Sequence, residues 1–211
     1  MELLLSFGTF GIIALLAAVS PGPDFLVVSK NSIGYSRGLG IMTALGVGSA
    51  IFIHVGYTIL GIGLIISKSI FLFSTIKLLG ALYLCYLGLN LLRSKEEKIS
   101  FDDLTSDIMP QKTNAQAFKE GFLTNALNPK ATVFFVSVFS QIVSPKLPIF
   151  LQSLYGIEAA FIVFTWFAIL ATMLLYSRIK NVIGTFQTRM LKVMGAALIL
   201  LGVSLAFETN K

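Results

Sequence analysis

Six apolar stretches, each near or above the roughly 18 to 20 residues a helix needs to cross the hydrocarbon of a bilayer, leave this chain few ways to fold. They run from Leu3 to about Ser20, from about Leu39 to Ser67, from about Ser69 to Leu92, from about Phe118 to Val143, from Pro148 to Ser177, and from about Met190 to Phe207. The chain has 211 residues, 55% of them apolar and 12% charged. Mean hydropathy is +0.85. The charged fraction is about half that of soluble domains. These values predict an all-α integral membrane protein whose environment is the lipid bilayer. Met1 and Glu2 lack the basic start of a secretory signal, so the first stretch is expected to be a retained span.

The formal charge of +6 does not suggest nucleic acid. The basic residues form no dense patch with interleaved aromatics and fall between apolar runs. They set an orientation instead. Lys30 and Arg37 lie between the first and second spans, Arg93, Lys95, Lys98, Lys112 and Lys119 around the third-to-fourth connection, and Arg178, Lys180 and Arg189 between the fifth and sixth. The positive-inside rule makes these three loops cytoplasmic and puts both termini outside. The long polar segment from Ser94 to Gln116 reads as a solvated, partly disordered linker. It divides the chain into a three-helix repeat over 1–93, a cytoplasmic linker over 94–117 and a second three-helix repeat over 118–211. Lys77-x-x-Gly80-Ala81 in the third span returns as Lys192-x-x-Gly195-Ala196 in the sixth. An odd number of spans per half inverts the second half, an arrangement common in secondary transporters.

Two interruptions carry the chemistry. Ser20-Pro21-Gly22-Pro23-Asp24 breaks the first span and Asn125-Ala126-Leu127-Asn128-Pro129-Lys130 breaks the fourth. Proline gives up a backbone donor and glycine weakens the helix, so freed backbone groups need other partners in lipid. Asp24 falls in the first turn of the helix after the break, where the dipole favours an anion. Asn128 suits an N-cap and Pro129 the first helical position. That puts Lys130 in a first turn, where the dipole disfavours a cation. An ionisable residue set against both solvent and dipole points to function. With the breaks facing each other, a zwitterion fits between them, carboxylate to Lys130 and the Asn128 helix end, ammonium to Asp24. The alternatives are packing kinks, an Asp24–Lys130 pair that only joins the halves, or an Asp24 near the cytoplasmic interface. Asn125 offers an amide to substrate or to freed backbone.

His54, the sole histidine, can relay protons or simply bond a neighbouring helix. Glu158 is expected near the outer end of the fifth span, as a headgroup-level carboxylate or as a group that titrates during transport. Trp166 falls in mid-span, as packing or as part of a cavity wall. Tyr35, Tyr155 and Tyr176 fit aromatic-belt positions. Cys85, the only cysteine, allows no intrachain disulfide and suits a small packing residue. Gly46, Gly48, Gly80 and Gly88 permit close helix contact. There is no phosphate-binding loop and no metal-ligand spacing, so no cofactor or metal is expected.

Ser20-Pro21-Gly22-Pro23-Asp24, Leu82-Tyr83-Leu84-Cys85-x-x-Gly88 and Gly121-Phe122-Leu123-Thr124-Asn125-x-x-Asn128-Pro129-Lys130 resemble the LysE/RhtB family of bacterial amino-acid exporters. Leu123-Thr124-Asn125 and Val138-Phe139-Ser140 resemble its threonine-efflux branch. The resemblance covers nearly the whole chain. It implies six spans in two inverted halves, a bacterial inner membrane, and proton-driven efflux of an amino acid such as threonine or homoserine. On that reading Asp24, Asn125, Asn128, Lys130 and His54 bind substrate or couple protons, and Pro21, Gly22, Pro23 and Pro129 form the breaks. A lone cysteine does not suit the thiol-disulfide carriers of the wider superfamily, and a single clear intramembrane carboxylate does not suit its metal exporters. A non-transporting scaffold or accessory subunit is the reading from a different class. An enzyme is disfavoured by the lack of paired catalytic acids. Homo-oligomerisation is left open.

Overall fold

The computed structural model describes residues 2–93, 111–143 and 146–207, and every regular element among them is helical. In chain order they are α1 (Glu2–Val19), α2 (Pro23–Gly34), α3 (Arg37–Lys68), α4 (Ile70–Arg93), α5 (Asn114–Ala126), α6 (Pro129–Ile142), α7 (Ile149–Met173) and α8 (Ser177–Phe207). Among the described residues three segments are long and apolar enough to cross a membrane, Arg37–Gly61, Ser74–Arg93 and Ile149–Met173. Leu3–Val19 and Pro23–Gly34, bent by 61° at the break between them, make a fourth if the pair is one span. The apolar part of α8, Leu191–Ser204, is shorter.

Both breaks fall where proline chemistry puts them. α1 stops at Val19, and α2 restarts with Pro23 in its first turn after Gly22. α5 stops at Ala126, and α6 restarts with Pro129 in its first turn after Asn128. Two connections differ from the sequence reading. α8 begins at Ser177, so the stretch holding Arg178, Lys180 and Arg189 is helix and not a loop. α5 begins at Asn114, inside the segment read as linker. Thr113 and Gln116 form a reciprocal capping box there, each side chain bonding the other's backbone N–H. The expectation of disorder otherwise falls on residues 94–110, outside the described residues.

Glycine sets how closely the helices approach. A Cβ on Gly46 of α3 would run into the carbonyl of Phe118, and one on Gly121 of α5 into the carbonyl of Thr43. The α3 and α5 backbones therefore touch directly. On α4 and α8, Gly88 and Gly195 face each other, a Cβ on Gly195 lying 2.6 Å from the Gly88 oxygen. Gly202 meets Ala81 and Cys85 further along. Cys85 is thus packing, as expected. As the residue number rises along α4 it falls along α8, so these two helices are antiparallel. α3 and α7 are also antiparallel, with Gly40 at Ala171, Gly48 at Ala160 and Val55 at Gly156. α1 and α7 run parallel, Phe7 stacking on Tyr155 at a centroid distance of 3.8 Å and Gly11 meeting Glu158 and Ile162.

The core gathers on α1, α3, α6 and α7, with Phe10, Val47, Ile51, Val138, Phe139 and Tyr155 nearly or fully inaccessible. Much of the exterior is apolar, with Leu4, Phe71, Phe161 and Leu200 all prominently exposed. That surface suits lipid, where exposed hydrocarbon carries no penalty. Tyr155 does not sit in an aromatic belt. It is fully buried and its hydroxyl lies 2.6 Å from Ser6 Oγ on α1.

Candidate functional site

Both helix restarts open onto one cavity. Its volume is about 230 Å³, and its polar lining is Ser20, Asp24, Asn90, Asn125, Asn128 and Lys130. Ile51, Leu87, Leu91, Phe134, Phe135, Val163, Phe167 and Leu198 supply most of the apolar wall. α2 and α6 each begin at this cavity, so two positive helix ends converge on it.

Asp24 and Lys130 occupy equivalent places, the residue after the proline of their helices. Asp24 Oδ2 accepts hydrogen bonds from Asn125 Nδ2 at 3.0 Å and Asn128 Nδ2 at 3.2 Å. Its other oxygen, Oδ1, is buried and has no partner. Asn128 caps α6 as the sequence predicts, its Oδ1 accepting from the Lys130 backbone N–H at 3.0 Å. Lys130 Nζ donates to Ser20 Oγ at 2.8 Å. Among the described residues Asp24 and Lys130 form no ion pair, since the one pair within 4.0 Å is Lys112–Glu120. The two opposite charges face one space and each keeps bonding capacity for something between them. A Cβ at Gly22 would stand 3.6 Å from Lys130 Nζ, so a bare backbone there leaves the ammonium unobstructed.

His54 stands behind this arrangement. It is fully buried, and its Nε2 lies 3.0 Å from the Asn125 carbonyl and 3.2 Å from Asn125 Oδ1. Both partners are acceptors, so Nε2 carries the hydrogen. Nδ1 faces the Tyr57 hydroxyl at 2.7 Å and accepts from it when the ring is neutral. The ring is stacked on Phe135 at a centroid distance of 5.6 Å. His54 therefore fixes the rotamer of Asn125, which in turn holds Asp24, and it is not among the residues lining the cavity.

A second polar cluster escaped the sequence reading. Asn31, fully buried on α2, donates to Thr43 Oγ1 at 2.8 Å and Glu120 Oε2 at 3.0 Å. Lys112 Nζ donates to Asn31 Oδ1 at 2.8 Å, pairs with Glu120 and lies 4.5 Å above the Tyr35 ring. This cluster ties α2, α3, α5 and the segment before α5 together two turns along α2 from Asp24. Its residues are far apart in sequence and individually ordinary, so no local signal announced it. Asn90 and the cavity phenylalanines were missed for the same reason. Trp166 packs against the core as expected. Glu158 differs from expectation. It lies nine residues into α7, against Gly11 of α1, and not at the helix end. Among the described residues no group of three or more His, Cys, Asp or Glu side chains could hold a metal ion.

The model of the LysE type translocator family matches residues 15–209, nearly the whole chain. The chain belongs to the LysE family of translocators. It is a multi-pass membrane transport protein and not an enzyme. It is 35% identical over 173 residues to the threonine efflux protein of Escherichia coli K12, covering 81% of this chain and 82% of that one. It is 31% identical over 203 residues to the uncharacterized membrane protein YrhP of Bacillus subtilis, covering 90% and 93%. It is 33% identical over 153 residues to the leucine efflux protein of Salmonella choleraesuis, covering 68% and 66%. No solved structure matches the chain.

Proposed function

We propose that this translocator exports a zwitterionic amino acid, threonine- or homoserine-like, from the bacterial cytoplasm across the inner membrane in exchange for protons. The observation that carries the proposal is the pair Asp24 and Lys130, unlike charges lining one cavity without neutralising each other. The substrate ammonium binds the free oxygen of Asp24. Its carboxylate binds Lys130 at the start of α6, where the helix dipole adds to the attraction. Asn125 and Asn128 hold Asp24, and His54 holds Asn125. The side chain of the substrate lies against Phe134, Phe135 and Phe167, with Asn90 the polar group on the α4 wall. Similarity to threonine and leucine efflux proteins supports the amino-acid class.

In this reading the chain crosses six times, α1–α2 and α5–α6 each forming one broken span, with both termini outside and the 94–117 linker in the cytoplasm. The helix directions support it, because six crossings require α1 parallel to α7, α3 antiparallel to α7 and α4 antiparallel to α8. Part of the packing supports two inverted halves, while among the described residues the α2–α3 and α4–α6 contacts lack α6–α7 and α2–α8 counterparts of similar extent. Exchanging α1–α4 with α5–α8 turns the α1–α7 contact into α5–α3, α2–α7 into α6–α3 and α2–α5 into α6–α1, and each of these contacts exists. Alternating access is then a rocking of the halves about the cavity.

The test is counterflow in liposomes holding the purified chain against a panel of labelled amino acids. Exchange of threonine, homoserine or a close relative is expected. A chain that exchanges none of the panel would contradict the proposal.

A further inference from the structure

α7 carries a single charged residue, Glu158, nine residues from its start at Ile149, or about 13 Å at 1.5 Å per residue. The side chain points at α1. A Cβ on Gly11 would lie 2.7 Å from Glu158 Oε1, so the missing side chain of Gly11 makes the room that the carboxyl fills. Glu158 Oε2 is buried and has no hydrogen-bond partner.

Among the described residues nothing around it offers a countercharge. From Leu3 to Val19, α1 has no charged residue. Tyr155, one turn back on α7, spends its hydroxyl on Ser6. α2 and α3, the other helices packed on α7, bring Asp24, bound to Asn125 and Asn128, and His54, bound to Asn125 and Tyr57. Their remaining charged or titratable groups with described side chains are Tyr57, Tyr35 and the exposed Lys30 and Arg37. None of these bonds Glu158. An unpaired carboxylate in such a seam costs several kcal/mol, whereas a neutral carboxyl is tolerated. α1 leads directly into the turn that sets Ser20 and Asp24 in the cavity, so the α1–α7 seam is joined to the site through the chain.

We propose that Glu158 is the proton-carrying group of the exchange cycle, taking up a proton when the α1–α7 seam opens to outside water and holding it while the seam is closed. A hydronium ion of the outside water gives up the proton, its O–H bond breaking to leave water as the carboxyl O–H bond forms. After turnover that bond breaks and the proton passes to water on the inner side. This inference rests on the exporter reading above and adds the coupling residue to it.

The experiment uses the reconstituted full chain with a pH dye inside the liposomes, and threonine and leucine as probes. Glu158→Gln should lower substrate-linked proton flux by more than about tenfold while lowering counterflow far less. Glu158→Asp, which still titrates, should restore proton flux. Wild-type proton flux in Glu158→Gln, or equal loss of flux and counterflow, overturns the inference. Wild-type counterflow of either probe, with proton flux unchanged in Glu158→Gln, removes only the role of Glu158. A wild-type chain that moves neither probe in counterflow removes the exporter reading and this inference together.

Discussion

Asp24 and Lys130 each follow the proline that starts a helix, yet the dipole favours the first and opposes the second. Only Asp24 gains from the helix end; Lys130 needs an anion to be comfortable there, and among the described residues its bonding partner is a neutral serine hydroxyl. Truncating either end of a desolvated charge contact costs about 2–5 kcal/mol, or roughly 30- to several-thousand-fold in affinity. Lys130→Ala and Asp24→Asn should therefore each raise the substrate Kd by at least about 30-fold in calorimetric titration of the detergent-solubilised chain. His54→Ala should act more weakly, because it frees Asn125 to rotate and leaves both charges in place. Its expected effect is near the worth of one hydrogen bond, about 0.5–1.5 kcal/mol. A His54→Ala variant as impaired as Asp24→Asn would assign the ring a larger role than bracing. The sequence left His54 between relay and brace. The distance to Asn125 supports bracing in this conformation, and no local pattern carried that distance.

Among the helices, the breaks were legible because proline and glycine act on their own backbone: the missing donor and the cap at Asn128 need no tertiary knowledge. The packing was legible only as composition. Gly46, Gly48, Gly80 and Gly88 announced close contact, but not that Gly88 would find Gly195 or that Gly46 and Gly121 would bring α3 and α5 backbone to backbone. Tyr155 and Glu158 were misplaced for a related reason. Each was assigned from its distance to the end of an apolar run, while Ser6 and Gly11 on α1 decide where they point. Gly121→Val should overpack the α3–α5 contact by about 1–3 kcal/mol, read as a lower unfolding temperature. Its effect on the site should come through Asn125, one turn along the same helix. Asn128→Ala should cost about 0.5–2 kcal/mol of stability through the lost cap, and more in substrate affinity, because it also releases Asp24. Equal effects on stability and affinity would mean the cap alone matters.

Across the whole chain, the family and the all-helical class could be read from motif order and hydropathy, whereas the Asn31–Thr43–Glu120–Lys112 cluster could not. It joins residues 8 to 89 positions apart, and only folding brings the α2, α3 and α5 members together. Its hydrogen bonds brace α2, α3 and α5 against one another. Orientation belongs to this level too. With Cys85 replaced by serine, a cysteine at Glu2 should react with an impermeant maleimide from outside intact cells, and one at Ser100 only after the membrane is opened. The reverse pattern would overturn the topology.

The central claim is that Asp24 and Lys130 grip the two ends of one zwitterion, and analogue binding tests it most directly. Affinities are measured for an exported amino acid, for its amine lacking the carboxylate and for its acid lacking the ammonium, in the wild type, Asp24→Asn and Lys130→Ala. The account predicts that Lys130→Ala weakens the amino acid and the acid but leaves the amine unchanged, and that Asp24→Asn weakens the amino acid and the amine but leaves the acid unchanged. Equal losses for all three ligands in either variant would contradict it.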